Sequence, residues 1–350
     1  MNYIDFNHNH KTRYNFFIII IFFTLSFIKN LHAADKSLSF DGTDDFVSIA
    51  ANNVLNPTGD YTVAAWFKQE GNNTADNWQS VMTSRSSVNP NAKGYVMYLN
   101  NTANNYLQYW KGTDSGGSWV KIESTEQSTW RANGSGDPGT PGWNYYVIRF
   151  NGSNQMDLFL DGTLKDSTTT LKNVNLQNTT RPTYIGAGST EGETPRYFFN
   201  GKIDDVAVWD EALTDAEILA LYNSGETLYA KENYGDYSSK DNLVAYYTMD
   251  SDNGAGTTLT DDEGNNDGSF EGAPSWSDDV PGTVPTLSSS NPSDGQTDVP
   301  IDTNIVLTFS EIVRVGTGNI VLHKASDDSV VETFDVTSDV SGSESTEITI

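Results

Sequence analysis

Short stretches in which apolar and polar residues alternate follow one another along most of this chain, and turn residues separate them. From Ser37 to about Ile203 they include YTVAAWFK, YVMYL and YYVIRF, whose length and aromatic and β-branched content are typical of strands. The pair Asp161–Gly162, between two alternating runs, is a strong hairpin signal. Strands this numerous without intervening helices predict an all-β protein built from two packed antiparallel sheets.

One helix is indicated by both of its ends. In LTDAEILALYNSG, Thr214 can act as the N-cap, and Glu217 three residues later completes a capping box. Gly225 can close the C-terminus. Ile218 and Leu221 lie on one face of such a helix, so we predict a short helix that covers an edge or an opening of the sandwich.

The N-terminus has the pattern of a secretory signal peptide over residues 1–34. Lys11 and Arg13 precede an apolar run from 16 to 28, and Ala33 and Ala34 offer a cleavage point. The run is too short to span a bilayer as a helix, which needs about 20 apolar residues. We therefore expect a secreted or cell-surface protein with no membrane span after cleavage. Because the chain contains no cysteine, its core must form without disulfides.

The charge balance excludes two classes of partner. Aspartate and glutamate number 47 against 20 lysines and arginines, which gives a net charge of −27. Nucleic-acid binding needs clustered basic residues that contact phosphates. Docking on anionic lipid needs them as well. A solvated acidic surface accounts for most of this charge.

The histidines and carboxylates argue against catalysis. His8, His10 and His32 lie in the predicted leader, so only His323 remains for a nucleophilic triad or a histidine-rich zinc site. Sandwich glycanases carry their carboxylates on one strand in the pattern E-x-D-x-x-E, which does not occur in this sequence. We predict that the chain is not an enzyme, although carboxylates that converge from different strands remain an alternative.

Two acidic clusters are candidate metal sites. Asp41, Asp44 and Asp45 fall within one turn, and Asp204 and Asp205 stand side by side on a predicted strand. Calcium takes six to eight oxygen ligands, which carboxylates and turn carbonyls can supply. The alternative is that these aspartates are solvated residues that stabilise turns.

Four tryptophans are candidate ligand-binding residues because they fall in a stretch rich in Gly, Ser and Thr. They are Trp110, Trp119, Trp130 and Trp143. A tryptophan in such a stretch either closes one end of the core or presents a stacking face for a sugar.

Five motifs in sequence resemble one family. SLSFDGTDDFVSI, YTVAAWFK, MDLFLDGTLK, TYIGAG and FNGKIDDVAVWDEALTDAEILALYNSG resemble, in order and spacing, the laminin-G-like and pentraxin-related jelly rolls of the concanavalin A-like type. This resemblance implies a two-sheet antiparallel jelly roll, which we place at residues 35–276. It also implies a structural calcium ion held by Asp41 and Asp204, with Asp44, Asp45 and Asp205 as additional candidates.

The segment 243–276 departs from the family order. In related domains a similar segment often opens the domain, whereas here it follows the helix. It either begins a second copy or closes the first domain from the other end. Leu243, Ala245 and Tyr247 alternate with residues that are also largely apolar, which is typical of a strand buried on both faces, so we predict closure.

A second domain follows a linker at residues 277–285. PSDGQTDVP, LTFSE and GTGNI resemble a bacterial Ig-like domain of the S-layer and adhesin type. Residues 286–350 supply too few strands for two sandwich faces. We therefore expect this domain to be incomplete and the chain to be the front part of a longer protein.

Together these features predict a non-catalytic binding or adhesion module that recognises carbohydrate or a glycosylated surface, with a structural calcium ion. Two alternatives remain open. The jelly roll is a spacer in a large exported protein, or it is an accessory module of an enzyme whose catalytic domain lies beyond residue 350.

Overall fold

The computed structural model of the chain places its residues in two units. It describes residues 3–6, 16–21, 36–57, 59–71, 78–86, 93–100, 106–112, 119–124, 142–152, 155–169, 180–190, 194–225, 228–250, 256–282, 287–293, 296–300, 303–313, 319–324, 329–335, 338–342 and 345–350. One unit is His32–Gly282, and the other combines Met1–Leu31 with Thr283–Ile350.

The first unit is a sandwich of two eight-stranded antiparallel sheets. Its strands in chain order are β1 (Ser37–Asp41), β2 (Phe46–Ile49), β3 (Tyr61–Gln69), β4 (Trp78–Ser86), β5 (Lys93–Asn100), β6 (Tyr106–Gly112), β7 (Trp119–Glu123), β8 (Asn144–Asn151), β9 (Gln155–Leu160), β10 (Thr163–Thr168), β11 (Thr183–Ile185), β12 (Gly188–Ser189), β13 (Pro195–Arg196), β14 (Asn200–Trp209), β15 (Leu243–Tyr247), β16 (Thr258–Leu259), β17 (Gly268–Glu271) and β18 (Ser275–Ser277).

The two sheets divide these strands between them. Sheet I has the order β10-β9-β8-β3-β14-β1-β18, with β15 paired to β14. Sheet II has the order β16-β17-β2-β11-β4-β5-β6-β7, and β12 pairs with β13 in a small separate ribbon. Strands distant in sequence thus lie side by side, as in a jelly roll.

Apolar side chains from both sheets fill the space between them. Phe67 and Ile203 of sheet I and Met82, Met97 and Tyr109 of sheet II are buried in one continuous cluster. Burying such a side chain contributes about 1.5–3 kcal/mol. This core replaces the disulfides that a chain without cysteine lacks.

A helix covers the outer face of sheet I. Helix α1 (Asp215–Tyr222) has the predicted capping box: the Glu217 amide donates to Thr214 Oγ1 (3.2 Å), and the Thr214 amide donates to Glu217 Oε2 (2.9 Å). The helix ends earlier than predicted, because Asn223 adopts the left-handed conformation at the C-cap (φ 47°) that we assigned to Gly225. Asparagine tolerates that conformation better than most residues.

This covering buries the central strands of sheet I on both faces. Trp66 and Trp209 belong to a second apolar cluster, which also contains Ile218 and Leu221 of the helix. Strand β3 is accordingly buried along nearly its whole length. No α-helix among the described residues other than α1 is available to cover the outer face of sheet II.

The segment 243–276 belongs to the sandwich. Strand β15 pairs with β14, β17 pairs with β2, and β18 pairs with β1. The two buried faces of β15 and these pairings confirm the prediction that the segment closes the first domain.

The second unit is also built from strands. Leu287–Asn291, Val306–Val313 and Ser345–Thr349 form one sheet; Gln296–Val299, Tyr3–Phe6, Phe16–Ile21, Asn319–Lys324 and Val330–Asp335 form the other. Two stretches of the predicted leader thus pair as strands here. Residues such as Ile and Phe suit a strand as well as the apolar region of a signal peptide, so the leader stays a prediction.

The architecture confirms the predicted fold class, an all-β chain with a two-sheet antiparallel sandwich, one short α-helix in the described part, and a further β-unit. Among the described residues no helix has the length and apolarity needed to cross a bilayer.

A lysine lies in the apolar core between the two sheets of the first unit. Lys111 of β6 is 3% exposed, and its Nζ lies 4.8 Å from the ring centre of Tyr61 and 4.6 Å from that of Phe150. It forms no ion pair with any described residue. Burial lowers the pKa of Lys111 from its ordinary value of 10.5 to about 7. Burial raises the pKa of Tyr61, Tyr95 and Tyr109, so these neighbours stay neutral below pH 10.

Replacing this lysine should change the pH dependence of stability. Between pH 7 and pH 9.5 the unfolded state binds the lysine proton and the folded state does not. The free energy of unfolding of the wild type should therefore rise with pH, by up to about 1.4 kcal/mol per unit. Lys111→Met should be more stable than the wild type at pH 7 and should lose this slope. Denaturant unfolding at several pH values measures both, and equal slopes in the two proteins would contradict the account.

Candidate functional site

An aromatic pocket lies on the outer face of sheet II, the face that α1 does not cover. Its volume is about 130 Å³, and the described residues that line it are Trp78, Arg85, Val96, Tyr98, Trp110, Trp119 and Tyr197. Side chains alternate between the two faces of a strand. On β5 and β6 the core contains Tyr95, Met97 and Tyr109. The residues next to them, Val96, Tyr98 and Trp110, therefore point outward. The pocket thus lies on the outer side of β5 and β6, and the inner side of these strands faces the core.

A bulge puts both ends of β4 on this face. Trp78 and Arg85 would point to opposite faces in a regular strand, because they are seven positions apart and the facing alternates at every position. The register shifts between Ser80 and Met82, so that Trp78 lies opposite Asn100 while Arg85 lies opposite Gly94. A one-residue shift reverses the facing of everything beyond it.

The rings of the pocket hold one another in place. Tyr98 packs on Trp78 with ring centres 6.2 Å apart and an interplanar angle of 27°. Tyr197 meets both of them edge to face, with ring centres 5.7 Å from Trp78 and 5.5 Å from Tyr98. Trp110 meets Tyr98 edge to face at 6.4 Å. Such contacts add about 0.5–1.5 kcal/mol each beyond area burial, so the pocket is largely preorganised.

The loop that carries Tyr197 is tied to sheet II. The Ser80 amide donates to the Tyr197 carbonyl (2.9 Å), and Tyr197 has a φ of 60°, which is uncommon for a residue with a side chain. This conformation turns the tyrosine over the strands and closes one side of the pocket.

Arg85 supplies a positive charge within this aromatic wall. Its guanidinium lies 4.9 Å from the ring centre of Trp119, and its Nη1 donates to the Ser189 carbonyl (3.0 Å). The residue as a whole is 8% exposed. The indole and the carbonyl together fix the plane of the guanidinium.

A chain of polar contacts supports Trp110 from the side. The Trp110 Nε1–H donates to Gln108 Oε1 (3.0 Å), and Gln108 Nε2 donates to Glu123 Oε2 (2.8 Å). Glu123 also pairs with Lys121 (2.8 Å), and the hydrogen bond from Lys121 lowers the pKa of that carboxyl. Glu123 therefore stays ionised at neutral pH and anchors the amide that orients the indole.

The described residues that line the pocket are aromatic or apolar apart from Arg85, and they include no carboxylate, histidine, serine or lysine. They offer flat apolar faces with N–H and O–H groups at the edges, which suits a ring-shaped ligand that is apolar on its faces and polar at its rim.

The four tryptophans that the sequence suggested as ligand-binding residues do not all lie at one site. Trp110 and Trp119 line the pocket. Trp143 does not: its Nε1–H donates to Asp279 Oδ1 (3.1 Å) and its ring packs against the second apolar cluster. Trp130 lies outside the described residues. Sequence reasoning missed Trp78, Arg85, Tyr98 and Tyr197, and an outward-facing aromatic within YVMYL was the signal for Tyr98.

The acidic turn brings three of the predicted metal ligands together. A carboxylate oxygen from each of Asp41, Asp44 and Asp45 lies within 4.8 Å of the others. Asp45 is buried and accepts the amides of Asp41 (3.0 Å) and Ala273 (2.6 Å), so it also ties this turn to the segment before β18. Asp41 accepts the Thr43 amide (2.7 Å), as in the turn-stabilising alternative.

The predicted joint site of Asp41 with Asp204 is wrong. In the antiparallel pair of β1 and β14, Asp41 lies opposite Asn200 and Leu38 lies opposite Ile203. Asp204 is thus displaced by four residues, or about 13 Å, along the strand. The resemblance placed both residues near one sheet end, but the register puts them toward opposite ends of β1.

Asp204 and Asp205 mark a bulge instead. The register of β14 against β3 shifts between Asp204 and Ala207, and Asp205 takes a φ of 45°. Asp204 Oδ1 accepts the Asp205 amide (2.9 Å), and Asp205 Oδ1 accepts the Tyr246 hydroxyl (2.5 Å). These bonds provide part of the compensation that two aspartates on an apolar strand require.

Comparison with known proteins agrees with the fold. Residues 41–219 match the laminin-G-type model of the concanavalin A-like lectin/glucanases superfamily, and residues 281–350 match a bacterial Ig-like domain. None of the curated proteins compared with the chain matches it significantly.

The solved structures that are similar to the chain include the following three. A proposed carbohydrate-binding protein from Bacteroides ovatus is 15% identical with a TM-score of 0.50; the match covers 72% of this chain and 62% of that one. A heptameric SAP-like pentraxin from Limulus polyphemus is 14% identical over 62% of this chain and 93% of its own, with a TM-score of 0.39. The CBM40 of the Ruminococcus gnavus IT-sialidase is 15% identical over 52% and 99%, with a TM-score of 0.38.

The family match covers half of the chain and lies within the two-sheet sandwich, and the second match covers the C-terminal residues of the second β-unit. The chain therefore belongs to the concanavalin A-like lectin/glucanases superfamily, and a bacterial Ig-like domain follows its sandwich.

Proposed function

We propose that the sandwich is a non-catalytic carbohydrate-binding module and that the aromatic pocket on sheet II holds a sugar ring. The observation that carries this proposal is the set of preorganised rings, Trp78, Tyr98, Trp110, Trp119 and Tyr197, around one small cavity. The axial C–H groups of a sugar pack on such rings, while its hydroxyls reach the polar edges. The Bacteroides ovatus protein that shares this fold is itself described as carbohydrate-binding.

The dimensions of the pocket favour one ring over a chain. A cavity of about 130 Å³ is well below the roughly 300 Å³ at which pockets for drug-sized ligands begin. The module would hold one residue of a glycan in the cavity, and neighbouring residues would lie outside it.

Replacing a pocket tryptophan should weaken glycan binding. Trp110→Ala removes a stacking face and should weaken binding at least about tenfold, a loss of about 1.4 kcal/mol. Trp143→Ala is the matched control, because Trp143 is also partly buried but lies away from the pocket. A glycan array, followed by calorimetric titration of the strongest hit, makes the comparison.

Two results would contradict the proposal that the pocket binds a sugar. In one, Trp143→Ala and Trp110→Ala weaken binding equally. In the other, the folded wild type binds no glycan, which would favour the spacer alternative. Hydrolysis of a bound glycan that is lost on changing a single glutamate within residues 35–276 would contradict the non-catalytic part.

We further propose that Asp41, Asp44 and Asp45 hold a calcium ion. Three carboxylates within 4.8 Å suit a hard divalent cation in their chemistry, and none of them forms an ion pair with a described residue. Backbone carbonyls and water would complete the coordination. Because Asp45 also binds Ala273, the ion would stabilise the contact between this turn and the chain before β18.

Free calcium at a hundredfold excess over its Kd would stabilise the folded state by about 2.7 kcal/mol. Removing it with a chelator should therefore lower the melting temperature of the protein by several degrees. Asp44→Asn should remove this sensitivity to chelator. Asp236→Asn, which changes an exposed aspartate elsewhere in the unit, should keep it. A wild-type melting curve that does not change with chelator would show that the turn holds itself together by its hydrogen bonds alone.

The module would act outside the cell. If residues 1–34 are a signal peptide, the exported protein should begin at Asp35, and mass spectrometry of its N-terminus checks this. Replacing Ile19 and Ile20 by aspartate interrupts the apolar run and should block export. An exported protein that retains Met1 would contradict the prediction.

A further inference from the structure

The segment from Tyr197 to Asn200 joins the aromatic pocket to the start of β14. Tyr197 lines the pocket, Phe199 is buried in the core between the two sheets, and Asn200 is the first residue of β14. The Ser80 amide donates to the Tyr197 carbonyl (2.9 Å), and the Phe199 amide donates to the Gly186 carbonyl (2.8 Å). The backbone thus anchors this segment at two points.

The side chain of Gln79 adds a third anchor. Gln79 is fully buried in β4; its Oε1 accepts the Asn200 amide (2.7 Å), and its Nε2 donates to the Gly71 carbonyl (2.8 Å). The Asn200 carbonyl in turn accepts the amides of Glu70 (3.0 Å) and Gly71 (3.3 Å), which follow β3. One buried amide group therefore joins three parts of the chain, namely β4, the residues after β3 and the start of β14.

The conformation of Tyr197 depends on such anchors. Its φ of 60° is uncommon for a residue with a side chain, and conformations of this kind persist where the surrounding structure fixes them. The Asn200 amide lies only three residues further along the chain. Without the bond to Gln79 the segment can relax toward a negative φ at Tyr197, and the ring then moves away from Trp78 and Tyr98.

We infer that Gln79 is a positioning residue of the aromatic pocket: it holds Asn200, and through it the ring of Tyr197, so that the pocket binds a sugar more tightly. This inference rests on the proposed function. Because Gln79 is 0% exposed, it does not touch a sugar itself. Its effect on binding therefore passes through Tyr197, which makes the inference separable from a direct contact.

The first measurement needs no sugar. Gln79→Met in the full-length chain keeps the length of the side chain and removes both hydrogen bonds. The rings of Tyr197 and Trp78 meet edge to face with centres 5.7 Å apart, so the tyrosine ring current contributes to the NMR shift of the Trp78 Nε1–H signal. In Gln79→Met this signal should move toward its position in Tyr197→Ala. A Trp78 signal that stays at its wild-type position in folded Gln79→Met overturns the inference.

The second measurement tests whether the effect on binding passes through Tyr197. The probes are the methyl glycosides of glucose, galactose, mannose and N-acetylglucosamine and the strongest glycan from the array, and the tightest of these is titrated into every variant. Gln79→Met should weaken its binding about fivefold, and in the Tyr197→Ala background it should weaken it no further. Equal weakening by Gln79→Met in both backgrounds overturns the inference, because Gln79 would then act by another route.

Two further variants separate positioning from a general loss of stability. Gln79→Glu keeps an acceptor for the Asn200 amide and should retain most of the wild-type affinity. Ile218→Val, in the apolar cluster under helix α1, lowers stability away from this segment and should leave the affinity unchanged. If Gln79→Glu or Ile218→Val weakens binding as much as Gln79→Met does, the inference is wrong.

Circular dichroism and the melting temperature check that each variant folds. If Gln79→Met does not fold, Gln79→Ala takes its place in both measurements, because a water molecule in the vacated space can bond to the Gly71 carbonyl and the Asn200 amide without fixing the segment as firmly.

The failures of the two proposals differ. If Trp110→Ala weakens binding and Gln79→Met does not, the carbohydrate-binding function stands and the inference about Gln79 is wrong. If the folded wild type binds neither the methyl glycosides nor any glycan on the array, the proposed function fails, and the Trp78 signal still decides whether Gln79 positions Tyr197.

Discussion

Apolar packing between the two sheets holds the rest of the sandwich in position. The side chains that meet there, among them Phe67, Met97 and Tyr109, come from strands far apart in sequence and are fully buried. On strands β5 and β6 of sheet II, alternate residues belong to this core, so the residues between them face outward. Aromatic residues at those outward positions form a pocket because the strands beneath them are fixed.

The two outer faces of the sandwich differ in what covers them. On sheet I, helix α1 and the segment that leads into β15 cover Trp66 and Trp209, and that face becomes a second core. On sheet II, rings of the same type surround a cavity of about 130 Å³. Large apolar groups that line a cavity are unusual enough on a folded protein to mark a binding site. The outer face of sheet II is therefore the face on which we propose that a ligand binds.

Much of this fold could be predicted from the sequence because its signals are local. The capping box of Thr214 and Glu217 and the two apolar faces of β15 each need only a short stretch to be recognised, and the structure confirms both. Their outcome depends on periodicity and hydrogen bonding within a few residues.

The site depends on features that a short stretch does not encode. The bulge between Ser80 and Met82 brings Trp78 and Arg85 to one face, against the alternation that the sequence shows. The pairing of Asp41 with Asn200 separates it from Asp204, and that register is set by the whole sheet. Two of the pocket tryptophans, Trp110 and Trp119, could be named from composition, but their partners could not.

The most direct test follows the indole N–H signals of the eight tryptophans by NMR while a glycan selected from an array is added. The account predicts that the signals of Trp78, Trp110 and Trp119 shift together with a single affinity, while those of Trp66, Trp143 and Trp209 do not move. Shifts confined to tryptophans outside the pocket would contradict it, because the sugar would then bind elsewhere on the molecule.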